Sequence, residues 1–243
     1  MIEIRNLIKR YSGKGPAAVD DLTLTINNGE IVGFAGLNGA GKTTTIRACT
    51  GIIYPTSGTI LIDGADVVSQ KTAASSSVGW VPELPNFEPN AKPMQLLKYY
   101  GGFYGMNSEE SRTRGMTLLE ATGLSGDTNK KLRNYSQGMK KRFSLAASML
   151  NDPRNYFFDE TLNGLDPEGI RYVRKLVTEL KSRGRAILLS SHILNELETL
   201  ADRIAIIHRG KLVEVMNREK IDAVMQNGGR LEDHFFSIIG LNV

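Results

Sequence analysis

Alternating apolar and polar residues predict short strands in the first third of the chain. Residues 2–5, 22–26 and 59–62 follow this pattern, which is typical of antiparallel strands that bury one face. Between the last two lies a different unit, residues 30–35, an apolar strand that runs into a glycine-rich turn and then into a helix. The first third is therefore predicted to hold an antiparallel β subdomain beside a strand–turn–helix unit.

The pattern becomes helical between residues 86 and 150. Leu96, Leu97, Tyr100 and Tyr104 recur at spacings of three and four, which indicates a helix with one buried face. The aromatic stretch of residues 99–104 is accordingly interpreted as part of a helical core, with an exposed coupling surface as the alternative. Three prolines at the start of the region indicate a hinge or linker: Pro85, Pro89 and Pro93.

After residue 153 the chain returns to strand–helix alternation, with strands at 156–158, 186–189 and 204–207 and helices at 168–183 and 195–201. Such alternation favours a mainly parallel sheet covered on both faces. The predicted fold is α/β, a single domain over residues 1–243. Its parts are an α/β core with the β subdomain (1–85 and 152–220), an inserted α-helical subdomain (86–151) and a C-terminal helix (221–243).

Composition indicates which partners and which cellular compartment suit this domain. Charged residues make up 23% of the 243, and the net charge is only +4 with a pI near 9.1, which fits a mixed solvated surface better than a dedicated nucleic-acid face. No segment approaches the roughly 18 apolar residues of a membrane span, and the chain opens on a strand and not on a signal peptide. A single cysteine, Cys49, fits a reducing compartment. We expect a cytoplasmic protein without a nucleic-acid partner.

A phosphate-binding motif follows the strand at residues 30–35. The segment matches G-x-x-x-x-G-K-[ST] in the strand–loop–helix setting that the motif requires. Glycines let backbone N–H groups turn inward around phosphate oxygens, and the next helix points its positive end at them. Lys42 would meet the outer phosphates, the Thr43 hydroxyl would ligate Mg²⁺, and Thr44 would add a hydroxyl contact. The predicted ATP-binding residues here are Gly36, Leu37, Asn38, Gly39, Ala40, Gly41, Lys42, Thr43 and Thr44.

A second element indicates hydrolysis. The apolar strand at 156–158 ends in two carboxylates, Asp159 and Glu160. Asp at the tip of such a strand would lie beside Mg²⁺, and the adjacent Glu160 could accept a proton from the attacking water or orient it. A plain acidic strand–loop junction is the structural alternative. Its pairing with the phosphate motif favours the catalytic interpretation.

A third motif lies between these two and opens a helix: Tyr135, Ser136, Gln137, Gly138 and Met139. At this point the chain resembles the ATP-binding cassette (ABC) proteins, whose signature usually reads Leu-Ser-Gly-Gly-Gln. The resemblance covers nearly all of the chain and implies a P-loop NTPase (RecA-like) core. It implies further that ATP and Mg²⁺ are the cofactors and that the signature acts in trans, on the ATP of a second ABC subunit, most simply an identical one.

The resemblance assigns roles to four more residues. Tyr11 would stack on adenine, with a packing tyrosine at a strand end as the alternative. Asp166 belongs to a segment like the D-loop of the family, which lines the subunit interface. His192 resembles the switch histidine that contacts the γ-phosphate. Glu83 stands at the place of the usual Q-loop glutamine and, with Thr43 and Asp159, completes the predicted Mg²⁺ ligands.

Several residues depart from the pattern of the family. Glutamate at 83 adds a charge that the metal would partly neutralise. Gln137 and Met139 replace a glycine and a glutamine of the signature, whereas Ser136 and Gly138, the parts suited to holding a phosphate, remain. Leu37 replaces a usual proline, and residues 161–162 replace Pro-Thr. We expect these changes to affect the turnover rate and not the chemistry.

The resemblance also implies a setting. A cassette of this kind powers a separately encoded transmembrane permease and sits peripherally on the inner face of the cell membrane. The variants at 83 and 135–139, with the tail at 231–236, resemble the exporter branch that handles drugs, antibiotics or lipids. Two alternatives stay open at this point. One is a cytosolic non-transport ABC ATPase, for example in iron–sulfur assembly, and the other is a regulatory ATP-binding module.

Overall fold

The computed structural model of the protein describes residues 1–13, 15–226 and 230–240. Its strands are β1 (Ile2–Lys9), β2 (Val19–Ile26), β3 (Ile31–Ala35), β4 (Ser57–Ile62), β5 (Ala65–Asp66), β6 (Val78–Val81), β7 (Asn155–Asp159), β8 (Ala186–Ser191), β9 (Arg203–His208) and β10 (Lys211–Asn217). Its α-helices are α1 (Lys42–Cys49), α2 (Lys71–Ser76), α3 (Pro93–Phe103), α4 (Ser108–Ala121), α5 (Gln137–Ser148), α6 (Pro167–Ser182), α7 (Leu194–Leu200), α8 (Arg218–Gln226) and α9 (Leu231–Ile238).

An antiparallel sheet with the strand order β2-β1-β4-β5 forms the β subdomain within the described ranges. Ile4 of β1 lies opposite Leu24 of β2 and Ile60 of β4, and all three side chains are buried. Their neighbours Arg5 and Thr25 point to the exposed face. The period-two alternation of the sequence is therefore the alternation of the two faces of this sheet, and the prediction is confirmed.

The second sheet has the order β10-β9-β3-β8-β7-β6 in the part of the chain that the structure describes. Strands β9, β3, β8, β7 and β6 run parallel, and β10 pairs antiparallel at one edge. Every residue of β3, β7 and β8 is buried because both faces are covered. Phe158 points to the core shared with α6 and α7, whereas Phe157 points to the core shared with the β subdomain.

Strand order brings the predicted motifs together. Strand β8 lies between β3 and β7, so the loops that follow these three parallel strands leave the same edge of the sheet side by side. They begin after Ala35, Asp159 and Ser191. The phosphate motif, the two carboxylates and the histidine are far apart in sequence and adjacent in the fold.

The helical subdomain packs α3, α4 and α5 around its own core, with Leu97, Leu119 and Phe143 fully buried. The interpretation of the aromatic stretch as core is wrong for most of it. Phe103 is 72% exposed, and Tyr99 and Tyr104 are exposed as well. Because α4 and α5 cover only one side of α3, Leu97 is buried while the residues at 99 and 103, one turn apart, share the uncovered side.

The C-terminal segment differs from the single helix predicted over residues 221–243. It contains two helices, α8 and α9, each of which buries its own apolar residues against the main core: Ile221 from α8, and Leu231 and Phe235 from α9. Residues 241–243 of the predicted helix lie outside the described residues. No helix in the described ranges is long and apolar enough to span a bilayer.

Candidate nucleotide site

The loop between β3 and α1 has the backbone that a phosphate cradle needs. Gly39 and Gly41 have φ of 78° and 115°, values that side-chain-bearing residues rarely adopt. A Cβ on Gly41 would lie 2.5 Å from the carbonyl oxygen of Ala18, and one on Gly36 would lie 2.5 Å from that of Ile207. Space therefore requires glycine at 36, backbone torsion favours it at 39, and both constraints apply at 41. The loop leads directly into the N-terminus of α1.

Lys42, the first residue of α1, is the cation of this loop. Its side chain is only 5% exposed, and its Nζ donates to the carbonyl oxygens of Gly36 at 2.6 Å and Leu37 at 3.3 Å. The same ammonium forms an ion pair with Oε1 of Glu160 at 3.0 Å. The contact joins the loop after β3 to the loop after β7 and points both charges into one cavity.

Asp159 ends β7 and is held by two hydroxyl groups. Its Oδ1 accepts from Ser190 Oγ at 2.8 Å and from Thr43 Oγ1 at 3.2 Å. Burial raises the pKa of this carboxyl above its ordinary value, and the hydrogen bonds from Ser190 and Thr43 partly offset that effect. A cation bound beside Asp159 would therefore relieve a buried charge.

Glu160 is the most constrained residue of the site. Its φ of 45° is left-handed, which is unusual for a residue with a side chain, and its N–H donates to Ser190 Oγ at 3.0 Å. Its Oε2 accepts from Asn163 Nδ2 at 2.8 Å and lies 2.8 Å from His192 Nδ1. Burial would raise the pKa of Glu160, but Lys42 and His192 outweigh it and hold that pKa below its usual value. The carboxyl is ionised and can act as a base or orient water.

A cavity of about 280 Å³ lies over the P-loop, the phosphate-binding loop of residues 36–43. Its lining joins residues from the β1–β2 loop, from the loop after β3 with the start of α1, and from the loops after β6 and β7: Ala18, Asn38, Gly39, Gly41, Lys42, Thr43, Thr44, Glu83 and Glu160. The structure thus brings Glu83, predicted from the Q-loop position, to the same cavity as Lys42.

The oxygen donors in this cavity fit Mg²⁺. The Thr43 hydroxyl touches Asp159, and the Glu83 carboxylate lines the space beside Thr43, which gives the hard oxygen ligands that this ion prefers. Across the described ranges, no group of three or more His, Cys, Asp and Glu side chains could hold a metal. The protein therefore offers part of a coordination shell, and phosphate oxygens would have to supply more of it.

Tyr11 stands at the rim of the cavity. Its Oη lies 3.3 Å from Thr44 Oγ1, its ring is 63% exposed, and Lys9 Nζ lies 5.3 Å from the ring centroid. The alternative of a packing tyrosine does not fit this exposure. The open ring face is available for a base held beside the phosphate cradle.

Residues 135–139 do not reach this cavity. Ser136 caps α5, accepting from Met139 N–H at 3.2 Å, and Ser136 and Gln137 are exposed. The prediction that Tyr135 also faces a second chain is wrong, because Tyr135 lies in the core of the helical subdomain and donates to the carbonyl oxygen of Asp127 at 3.1 Å. Burial raises the pKa of Tyr135 to about 12.

Asp166 also lies outside the lining of the cavity. Its Oδ1 accepts from Gly169 N–H at 2.9 Å and so caps α6, while its side chain remains exposed, 3.6 Å from Arg142 of α5. This position joins the start of α6 to the signature helix. It leaves the acidic group accessible from outside the chain.

Sequence reasoning missed three side chains of the site. Asn163 donates to Glu160, Ser190 bonds both carboxylate residues, and Lys141 contacts the backbone after β7. Ser190 could have been found from the sequence, because it is a hydroxyl residue at the end of the strand next to β7. No sequence feature pointed to Lys141, because a lysine inside a helix is ordinarily a surface residue.

Comparisons with known proteins agree with this geometry. A family model described as ABC transporter matches residues 19–163. The bacitracin transport ATP-binding protein BcrA of Bacillus licheniformis is 39% identical over 215 residues, which cover 88% of this chain and 69% of that protein. The Nod factor export ATP-binding protein I of Burkholderia lata is 35% identical over 212 residues, covering 87% and 69%.

A solved structure shares the whole architecture. The ATP-binding subunit of an ABC transporter superposes with a TM-score of 0.88 at 28% identity, covering 98% of this chain and 99% of that one. The agreement therefore extends beyond the matched family segment to the C-terminal helices.

Proposed function

Because this chain belongs to the ABC transporter family as an ATP-binding, ATP-hydrolysing subunit, we propose that it works as a pair of identical chains powering a separate transmembrane permease. The observation that carries the hydrolytic part of the proposal is the meeting of Lys42, Thr43, Asp159, Glu160 and His192 at one edge of the parallel sheet. That edge also carries the glycine cradle for phosphates.

Each residue of the cavity has a proposed task in binding. The amides of residues 36–41 and the ammonium of Lys42 bind the phosphates of ATP. Tyr11 stacks on the base. Thr43, Asp159 and Glu83 hold Mg²⁺, which neutralises charge on the phosphates.

Glu160 is proposed to act on the attacking water. Its carboxylate is ionised and fixed by Asn163 and His192, so it can accept a hydrogen bond, or the proton, from a water directed at the γ-phosphate. Its charge faces Lys42, and the phosphates would compete for that lysine. His192 is 42% exposed in its side chain, which leaves it able to contact phosphate beside Glu160.

A second subunit is proposed to complete the site. Ser136 and the N-terminus of α5 suit a phosphate, yet they are exposed and absent from the lining of the cavity in their own chain. A head-to-tail pair would place Ser136 of each chain on the ATP bound to Lys42 of the other. Asp166, exposed at the start of α6, would lie in that interface.

The permease is proposed to dock beside α3. A groove of about 370 Å³ separates the helical subdomain from the core. Its lining combines apolar and aromatic side chains (Ile52, Val78, Trp80, Pro82, Phe87, Tyr100, Tyr104 and Ala147) with smaller polar ones (Thr50, Ser75, Asn86, Ser144 and Ser148). Phe103 extends this surface into the next depression.

The direction of transport is proposed to be export. One relative is named for bacitracin transport and another for Nod factor export, and both cover most of this chain. These names favour transport over a cytosolic non-transport ATPase or a regulatory module. Docking on a permease would hold the chain peripherally on the cytoplasmic face of the membrane, and the +4 net charge gives no reason to expect a nucleic-acid partner.

The proposal is tested by Glu160→Gln. This change keeps the shape of the side chain and removes the charge, so we expect ATP to be retained and phosphate release to fall by about a hundredfold or more. Glu179→Gln, on an exposed position of α6, is the matched control and should turn over like the wild type. Removal of Mg²⁺ with EDTA should abolish turnover in the wild type. Normal phosphate release from Glu160→Gln would contradict the role given to this residue.

A further inference from the structure

Lys141 lies in the middle of α5 and is only 6% exposed. Its ammonium group reaches the loop that follows β7, where it donates to the backbone carbonyl oxygens of Glu160 and Thr161, each at 3.4 Å, and to that of Asn163. No carboxylate of the described residues lies within 4 Å of it. A side chain of the helical subdomain is therefore anchored to three main-chain oxygens of the catalytic core.

Burying this lysine has a cost that its contacts must offset. Taking an ammonium group out of water is unfavourable unless hydrogen bonds replace the lost hydration. Burial lowers the pKa of Lys141, while the charges of Glu83 and Glu160 act in the opposite direction. The three carbonyl oxygens give each of the three N–H donors of the ammonium group an acceptor, two of them at 3.4 Å.

The loop that Lys141 contacts contains a residue in an unfavourable backbone conformation. Glu160 adopts a left-handed φ of 45°, which is unfavourable for a residue with a side chain and persists only where surrounding contacts fix it. The carbonyl groups of residues 160, 161 and 163 point toward one place, and their dipoles would repel one another without a cation there. Lys141 provides that cation.

We propose that Lys141 is a positioning residue for hydrolysis. It holds the backbone of residues 160–163 so that the carboxylate of Glu160 faces the nucleotide cavity. The inference rests on the catalytic role proposed for Glu160. It makes α5 a direct mechanical link between the helical subdomain and the catalytic loop of the same chain.

Because Lys141 and Ser136 lie on the same helix, a change at Ser136 could be transmitted through α5 to Glu160. Ser136, proposed to bind the ATP held by the other chain, caps the same helix five residues earlier, about 7.5 Å along its axis. A shift of α5 when Ser136 meets phosphate would move the anchor of Glu160 with it. Closure at one ATP site would then set the catalytic glutamate of the other.

The first test is Lys141→Met, which keeps the length of the side chain and removes its donors. We expect the KM for ATP to stay within about twofold, because the P-loop is untouched, and kcat to fall roughly tenfold to a hundredfold through misplacement of Glu160. Lys141→Gln should recover part of kcat, since its amide supplies two donors. Lys175→Met, an exposed lysine on α6, is the matched control and should equal the wild type.

A double mutant separates positioning from a merely structural role. If Lys141 acts through Glu160, adding Lys141→Met to Glu160→Gln should slow phosphate release little beyond Glu160→Gln alone. A full additional loss would overturn the proposal, as would a wild-type kcat in Lys141→Met or equal losses of kcat and ATP affinity. If Lys141→Met does not fold, the same cycle with Lys141→Gln decides between these outcomes.

The two proposals fail in different ways. Slow hydrolysis in Glu160→Gln together with normal hydrolysis in Lys141→Met would reject the positioning role alone. Normal hydrolysis in Glu160→Gln would reject the proposed role of Glu160 and, with it, the residue that Lys141 is said to position.

Discussion

The charge of Glu160 dominates the site at the scale of single residues. Lys42, Asn163 and His192 all contact its carboxylate, and Lys42 and His192 outweigh the effect of burial on its pKa. Asp159, one position earlier, has the opposite shift, because burial and, less strongly, the nearby carboxylates raise its pKa more than the hydrogen bonds from Ser190 and Thr43 lower it. Two adjacent acids are therefore prepared for different tasks: Glu160 to remain charged near a cation, and Asp159 to gain from a metal ion.

Tyr11 offers a residue-scale prediction about nucleotide affinity. Tyr11→Ala removes an exposed ring at the rim of the cavity, and we expect the Kd for ATP to rise about tenfold, since base–aromatic stacking contributes roughly 1–3 kcal/mol. Tyr11→Phe keeps the ring and loses only the contact with Thr44, so it should bind within about twofold of the wild type. Isothermal titration of ATP measures both. Equal affinity of Tyr11→Ala and the wild type would remove the stacking role.

At the scale of secondary-structure elements, helix α5 is the one that connects an exposed surface to the catalytic loop. It begins at the exposed Ser136, packs Phe143 in the core of the helical subdomain and anchors Lys141 to the loop after β7. One helix thus joins an outward-facing surface to the catalytic centre. Its N-terminal end has no phosphate of its own chain to bind, which is why a second chain enters the proposal.

The variant Ser136→Arg tests whether the exposed N-terminal end of α5 contacts a second chain. The larger cationic side chain would crowd the place proposed for phosphate, so we expect the ATP-bound pair to be lost and the chain to elute as a monomer in size-exclusion chromatography with ATP. The change also removes a helix cap worth about 1 kcal/mol, and a thermal melt measures that part separately. Ser108→Arg, exposed at the start of α4, adds the same charge elsewhere and should not alter elution. A persistent pair in Ser136→Arg would exclude this role.

The surface beside α3 is a feature of the whole molecule, because residues of both subdomains form it. Phe103 and Tyr104 are exposed at the edge of a groove that both subdomains build, although helical periodicity placed their stretch in a core. Exposed aromatic side chains next to a groove are typical of interaction sites. We therefore propose two interaction faces on the helical subdomain, one near Ser136 for a second chain and one beside α3 for the permease.

Replacing Phe103 and Tyr104 by serine should separate hydrolysis from membrane attachment. We expect the double variant to release phosphate like the wild type in the absence of membranes, because neither residue lines the nucleotide cavity. Recovery of a multispan membrane protein with the tagged cassette from detergent-solubilised native membranes should fall about tenfold or more. Met116→Ser, an exposed apolar residue on α4, is the control. Undiminished recovery with the double variant would place the permease elsewhere.

The sequence alone determined the strands, the P-loop and the two carboxylates, because these depend on local periodicity and on residue types at fixed spacing. It also identified His192 and Glu83, through their order along the chain relative to the other motifs. Tertiary structure decided which side of a helix is covered, and so exposed Phe103 while burying Tyr135. It alone revealed Lys141, since the contact joins a helix to a loop about 20 residues later, and no local pattern encodes which distant backbone a buried charge will meet.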